Sequence, residues 1–386
     1  MDYHGKPYYS LDAWCKNTYG EKLYKIALDA GLTCPNRDGT LDSRGCIFCS
    51  AGGSGEFAAG RLPGAEPVDG PFSIREQLEA GKKLLENCIK TLERQTCQEF
   101  KLLVIDNGSK DGSTDVTSES LDMEMVALPE NTGFCGAVNL GFEMTTTPYA
   151  ILLNNDTEAE PHFVEELLKG IRQSERIFSC GAQMLDFKQR ELLDNAGDLY
   201  TLPGWAVARG KGRPAADYGK QTDVFSCCGG AVIYRMSVLK QIGVMDEKHF
   251  AYLEDLDLGY RARIAGYRNR YIPEAKVYHV GSATTGSRYN EKKVFLAARN
   301  SMFVIYKNMP LLQFLINLPF LFAGVLVKWL FFCKKGFGRR YLEGIAEGIG
   351  QCRTCRKVRF KVGNLRNYVK IEWELITNIF RVLSHR

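Results

Sequence analysis

Two apolar runs, FKLLVID at 100–106 and YAILLN at 149–154, constrain this chain more than any other feature. Each passes directly into a turn rich in Asn, Asp, Gly or Ser, and such runs read as strands buried on both faces. A short strand is expected at Met125–Leu128, with further strands at Val224–Tyr234 and Arg270–His279. Helical stretches fall between them at Phe134–Met144 and His162–Ser174. Alternation of this kind predicts an open α/β sheet with its ligands at the carboxyl ends of the strands.

Those ends carry the candidate chemistry. Asp106 closes the first run and is followed by NGSKDGSTD, where a carboxylate can bind a base or ribose and glycines let the backbone approach it. Asp156, flanked by Asn154 and Asn155, suits a hard divalent cation bound to diphosphate, although an Asx-turn capping the next helix explains it equally well. Glu254 and Asp255 stand near the start of a helix in FAYLEDLDLGYRARIAGY. Acids there complement the helix dipole; a functional one would deprotonate an attacking hydroxyl. His279 ends YIPEAKVYH beside these strand-end carboxylates.

In their order, VIDNGSKDGSTD, ENTGFCGAVNLGF, LLNNDTE, CCGGAVIYRMSVLKQIGVMDE, YLEDLDLGYRARIAGYR, YHVGSATTG and ARN resemble the family 2 glycosyltransferases over about 87–310, in the rhamnosyltransferase-like branch with the GT-A fold. The resemblance implies that Asp106 contacts the nucleotide and that Asn131 and Gly133 line its pocket. Asn154, Asn155 and Asp156 stand at the family's D-x-D, with Asn154 and Asn155 beside the nucleotide sugar. Asp156 and His279 would bind Mg or Mn, and Asp255 would be the base, oriented with help from Glu254. Direct displacement with inversion follows, from a nucleotide-sugar donor (dTDP-rhamnose favoured) to a glycan or lipid-linked acceptor.

A second pattern lies upstream. Cys34, Cys46 and Cys49 are spaced C-x11-C-x2-C, and thiolates held in one loop suit zinc or an iron–sulfur cluster. YYSLDAW, GEKLYKIALDAGLTCPNRDGT, RGCIFCSAGGSGEFA and SIREQLE resemble the start of the YhcC-like radical SAM proteins. That resemblance implies a [4Fe–4S] cluster on the three cysteines, with S-adenosylmethionine on its fourth iron. Nothing after residue 82 continues the pattern, so cluster binding stays open and radical catalysis is not expected.

The expected units are therefore a truncated radical SAM-like fragment at 1–82, a GT-A domain at 83–310 and a basic, membrane-associated helical tail at 311–386. Hydrophobic content of 45% and charged content of 25% exclude wholesale disorder. Thirteen cysteines and no apolar leader near MDYHGKPYYSLDAW point to a reducing cytoplasm. Leu311–Cys333 is an apolar run of 23 residues containing Asn317, Pro319 and Lys328, so spanning and in-plane membrane placements compete. From Lys334 to Arg386 there are 13 Lys/Arg against 4 Asp/Glu, which suits an anionic membrane surface at the inner face and, without an aromatic RNA motif, not nucleic acid.

The join itself is informative. A family 2 transferase normally opens with a strand of the type VSIIIPTYN leading into a helix like the one expected at Glu86–Gln95, and here SIREQLEAGKKLL stands in the strand's place. That sequence is charged and helix-favouring. The sheet is expected to lack its usual first strand, leaving Phe100–Asp106 with an unpaired edge and transfer activity weak or absent.

Overall fold

A computed structural model of the chain describes residues 80–109, 111–281 and 289–384. Cys34, Cys46 and Cys49 lie outside the described residues, as does most of the loop after His279. Gly81–Arg386 forms one compact unit.

The chain enters this unit as α1 (Ala80–Leu92), which ends before the expected Gln95. Strands β1 (Leu102–Asp106) and β2 (Met123–Ala127) pair in parallel as a two-stranded sheet of their own. Helix α2 (Gly133–Met144) leads to β3 (Tyr149–Leu153), and β4 (Thr157–Ala159) precedes α3 (Phe163–Arg172). Next come β5 (Ile177–Asp186), β6 (Leu193–Asn195), β7 (Asp198–Tyr200), β8 (Ala206–Ala208), β9 (Thr222–Val224) and β10 (Ala231–Arg235). The unit then continues through α4 (Met236–Ile242), α5 (Glu254–Ile264), β11 (Arg268–His279), α6 (Glu291–Asn308), α7 (Leu311–Lys334), α8 (Gly338–Gln351) and α9 (Leu365–Ser384).

The main sheet runs β3-β10-β5-β11-β4, with β6 on β5 and β9 on β11. It is mixed: β5 and β11 are parallel, while β10 is antiparallel to both β3 and β5. Every residue of β10 is buried, because α3 packs on Ala231 and Ile233 while α2 and α4 cover Val232 and Tyr234. Strands covered on both faces read as continuous apolar runs.

Two expectations are corrected. Val224–Tyr234 is not one strand: residues between β9 and β10 turn through Cys228-Gly229-Gly230, and a Cβ on Gly230 would meet Met184 Cε at 2.8 Å. Nor are the two founding runs fully buried. Four of five residues in β1 and all five in β3 are only half-buried. The reason lies in the topology. Among the described residues no strand pairs with the outer edge of β3 or with the edge of β1 facing away from β2. A strand with neighbours on one side only loses half its cross-strand cover.

Candidate active site

The site is assembled at the strand ends. In the β4–β11 register His279 lies opposite Thr157, which brings it beside Asp156. His279 Nε2 lies 3.3 Å from Asp156 Oδ1, and Nδ1 lies 2.8 Å from Asp194 Oδ2. Asp156 caps no helix; its carboxylate faces the imidazole, and its carbonyl accepts the Val280 N–H at 3.0 Å. Burial disfavours the imidazolium, but the bonds to Asp156 and Asp194 more than reverse this and raise His279 to about 9. Burial would raise Asp194 too, yet His279 and Lys211 pull it down to about 2.

Asp194 was not anticipated from the sequence. In the β5–β6 pairing Leu185 faces Leu193 and Met184 faces Asn195, so Asp194 is the extra residue of a bulge. Bulges re-aim a side chain, and this one sends a carboxylate to the far side of the imidazole. DNAGD, with Gly197 at φ 93°, was the available signal.

The residues fit a divalent cation. Two adjacent ligands of an octahedral ion at about 2.1 Å sit about 3.0 Å apart, close to the Asp156–His279 spacing. A carboxylate on the other imidazole nitrogen is the usual support for a ligating histidine. Among the described residues no group of three or more His, Cys, Asp or Glu is arranged as a complete metal site. A cation held here would draw its remaining ligands from phosphates and water.

The acidic pair lies at the first turn of α5. Asp255 Oδ2 accepts the Gly229 N–H at 2.9 Å, and Oδ1 accepts the Leu256 N–H at 2.7 Å. Burial raises the Asp255 carboxyl. Burial and then the Asp255 charge push Glu254 well above the carboxylate range; its Oε2 has no hydrogen-bond partner among the described residues. Asp198, held by Asn195 and Ser226, is raised to about 7 by burial and by Asp255. Sequence reasoning missed Asp198.

The loop before α5 is strained. Phe250, Tyr252 and Leu253 all have positive φ, at 60°, 74° and 67°. Side chains tolerate such angles only where neighbours over-determine them. Here Asn300 of ARN, fully buried, donates through Nδ2 to the carbonyls of His249, Ala251 and Tyr252 at 2.9, 2.8 and 2.7 Å. Gly133, φ 82°, packs against the same loop, where a Cβ would meet Phe250 Cδ2 at 2.6 Å.

At the β1 end, Asp106 Oδ1 accepts the Ser109 N–H at 2.8 Å. Asn131 Oδ1 accepts the Gly133 N–H at 2.9 Å, and Asn107 donates to the Gly133 carbonyl at 3.0 Å. The Asn154 N–H donates to Gly230 O at 2.9 Å, while Asn155 is exposed. Asn107, next to Asp106, thus ties the Asn131–Gly133 loop to the end of β1.

The fold is of the GT-A type, and residues 78–243 match the family described as Glycosyl transferase family 2. With carboxylates at the strand ends, the described unit is a family 2-like glycosyltransferase domain. The chain is 25% identical over 251 residues to the N-acetylglucosaminyl-diphospho-decaprenol L-rhamnosyltransferase of Mycobacterium tuberculosis, covering 56% of this chain and 81% of that one. It is 52% identical over 56 residues to uncharacterized protein YtqA of Bacillus subtilis, covering 14% of this chain and 17% of that one, so it spans only a small part of that relative. Among solved structures it is similar to the mannosyltransferase PcManGT from Pyrobaculum calidifontis, with TM-score 0.44 and 11% identity over 79% of this chain and 83% of that one.

Proposed function

We propose that the chain transfers a sugar, with inversion, from a nucleotide-sugar donor to a glycan or lipid-linked acceptor at the inner face of the cell membrane. The observation that carries this reading is the Asp156–His279 contact at strand ends of a family 2-like domain, with the Asp255 carboxylate on the Gly229 N–H as the candidate base. dTDP-rhamnose is the favoured donor, supported by the rhamnosyltransferase-like motifs and relative.

In this reading Asp106 and the Asn131–Gly133 loop hold the nucleotide, and Asn154 and Asn155 flank the donor. Asp156 and His279 would hold Mg or Mn, which when bound would supply positive charge against the diphosphate leaving group. Asp255 takes the proton of the acceptor hydroxyl as oxygen bonds to the anomeric carbon and the bond to diphosphate breaks. Burial makes Asp255 a stronger base than a surface carboxylate. Glu254, held as the neutral acid, leaves the base's charge undivided.

The edges of β1 and β3 left open among the described residues are read as weakening donor binding, so turnover by the purified chain is expected to be low. A sugar-transfer assay with Mn and dTDP-rhamnose tests this. Mn-dependent nucleotide binding abolished by Asp156→Ala supports the site. Robust turnover would refute the impairment, and binding unaffected by the substitution would refute the site.

The spacing of Cys34, Cys46 and Cys49 favours a second reading, a [4Fe–4S] cluster with S-adenosylmethionine. Anaerobic reconstitution should then give a brown chromophore that Cys46→Ala removes.

A further inference from the structure

Helix α7 is long and apolar enough to cross a bilayer, yet it is held along its length. Over its most apolar stretch only 17% of the residues are buried, whereas the core helix of a soluble protein is mostly buried. The buried residues Gln313, Asn317, Leu321 and Gly324 recur at helical spacing on one face. Gln313 Nε2 and Asn317 Nδ2 both donate to Glu372 Oε2 of α9, at 2.7 and 2.9 Å. Trp205 Nε1 donates to the Gly324 carbonyl at 3.1 Å, and a Cβ on Gly324 would meet Pro203 O at 2.2 Å. Farther on, Val325, Trp329 and Phe332 pack against Val294 and Ala298 of α6 and Tyr341 of α8. From Gln313 to Phe332 the helix is thus attached to the domain over about 28 Å.

The opposite side is apolar and uncovered. Leu312, Leu315, Phe322, Val327 and Leu330 are 71%, 54%, 70%, 51% and 50% exposed. The helix that supplies Glu372 also exposes Val369, Trp373 and Phe380. Cations border this surface: Lys334 at the end of α7 and Lys335 and Arg339 just past it are exposed, and Arg366 and Lys370 are exposed on α9. An apolar face with a Trp and a basic border matches an anionic lipid interface. Upright insertion would carry Glu372 and the charged residues of α9 into hydrocarbon, at a cost of several kcal/mol for each charge.

We propose that α7 lies in the plane of an anionic membrane surface and docks the domain there without crossing it. This deepens the reading of a membrane-associated acceptor, and its test uses no sugar transfer, so either idea can fail alone.

The experiment is flotation of the full chain with vesicles containing phosphatidylglycerol. The chain should float, and Phe322→Glu, which replaces an exposed side chain, should lower partition by about tenfold while leaving the circular dichroism unchanged. In Glu99→Cys/Arg353→Cys protein bound to vesicles, an impermeant maleimide added outside should reach both introduced thiols, one at an exposed position before α7 and one at an exposed position after it, with the labelled peptides identified by mass. Failure to float, or flotation insensitive to Phe322→Glu, overturns the proposal. Labelling of one introduced thiol only means a spanning helix and overturns it as well. So does a lipid-free dimer that Phe322→Glu dissociates while the wild-type chain ignores vesicles.

Discussion

Replacing Lys307 by Met tests how the acidic turn of α5 is held. Lys307 is 2% exposed, and its Nζ lies 2.8 Å from both Asp246 Oδ2 and Asp257 Oδ2. Asp257 is fully buried two residues beyond Asp255, and it also accepts from Arg261 Nε at 3.1 Å and Asn308 Nδ2 at 2.8 Å. Methionine fills much of the volume but leaves Asp257 with one cation and Asp246 with none. Breaking a buried pair by removing one partner costs about 3–5 kcal/mol, and the surviving Arg261 places this case near about 3 kcal/mol. At roughly 2–4 °C per kcal/mol for a domain this large, thermal unfolding should move down by about 6–12 °C. Burial would raise the Asp257 carboxyl, but Arg261 and Lys307 hold it far below the usual range. Its stabilising contribution is therefore present above the unfolded value near pH 4 and is lost as pH falls through the lower folded value. In Lys307→Met the folded value rises, so the loss moves up toward pH 4. Adding Asp257→Asn should recover part of the stability, since both charges are then removed. A thermal shift under about 2 °C, or no recovery in the double variant, would refute the reasoning.

Asp194→Asn should weaken Mn binding by about 10- to 100-fold, read by electron paramagnetic resonance of the free ion, because Nδ1 loses its carboxylate; unchanged affinity would sink the role. Gly133→Ala should lose nucleotide binding and lower the melting temperature, since its φ of 82° and the Phe250 contact leave no room for a Cβ. Inserting a strand of the type VSIIIPTYN before α1 should raise turnover in the sugar-transfer assay; no gain would show that the open edges of β1 and β3 do not limit activity.

Much of the site was legible because strand ends advertise themselves: an apolar run followed by Asp or His identifies the residue whatever the sheet does. Asp106, Asp156 and His279 were singled out this way, and Asp255 by its place at the start of a helix. Asp194 was not, because the bulge that aims it depends on how β6 pairs with β5. Asn300 belonged to a recognised motif, but its task of clamping three carbonyls of a strained loop exists only once α6 packs there. The strand expected at Val224–Tyr234 failed because apolar content does not reveal that two glycines must turn the chain.

The sequence by itself determined the α/β alternation and the acidic strand ends, since these follow from local periodicity and side-chain type. It also determined the apolar length of α7. Tertiary structure alone decided that FKLLVID and YAILLN stay half-exposed, because cover depends on neighbours far along the chain. It likewise decided that α7 is tied sideways to the domain, because Glu372 reaches it from another helix.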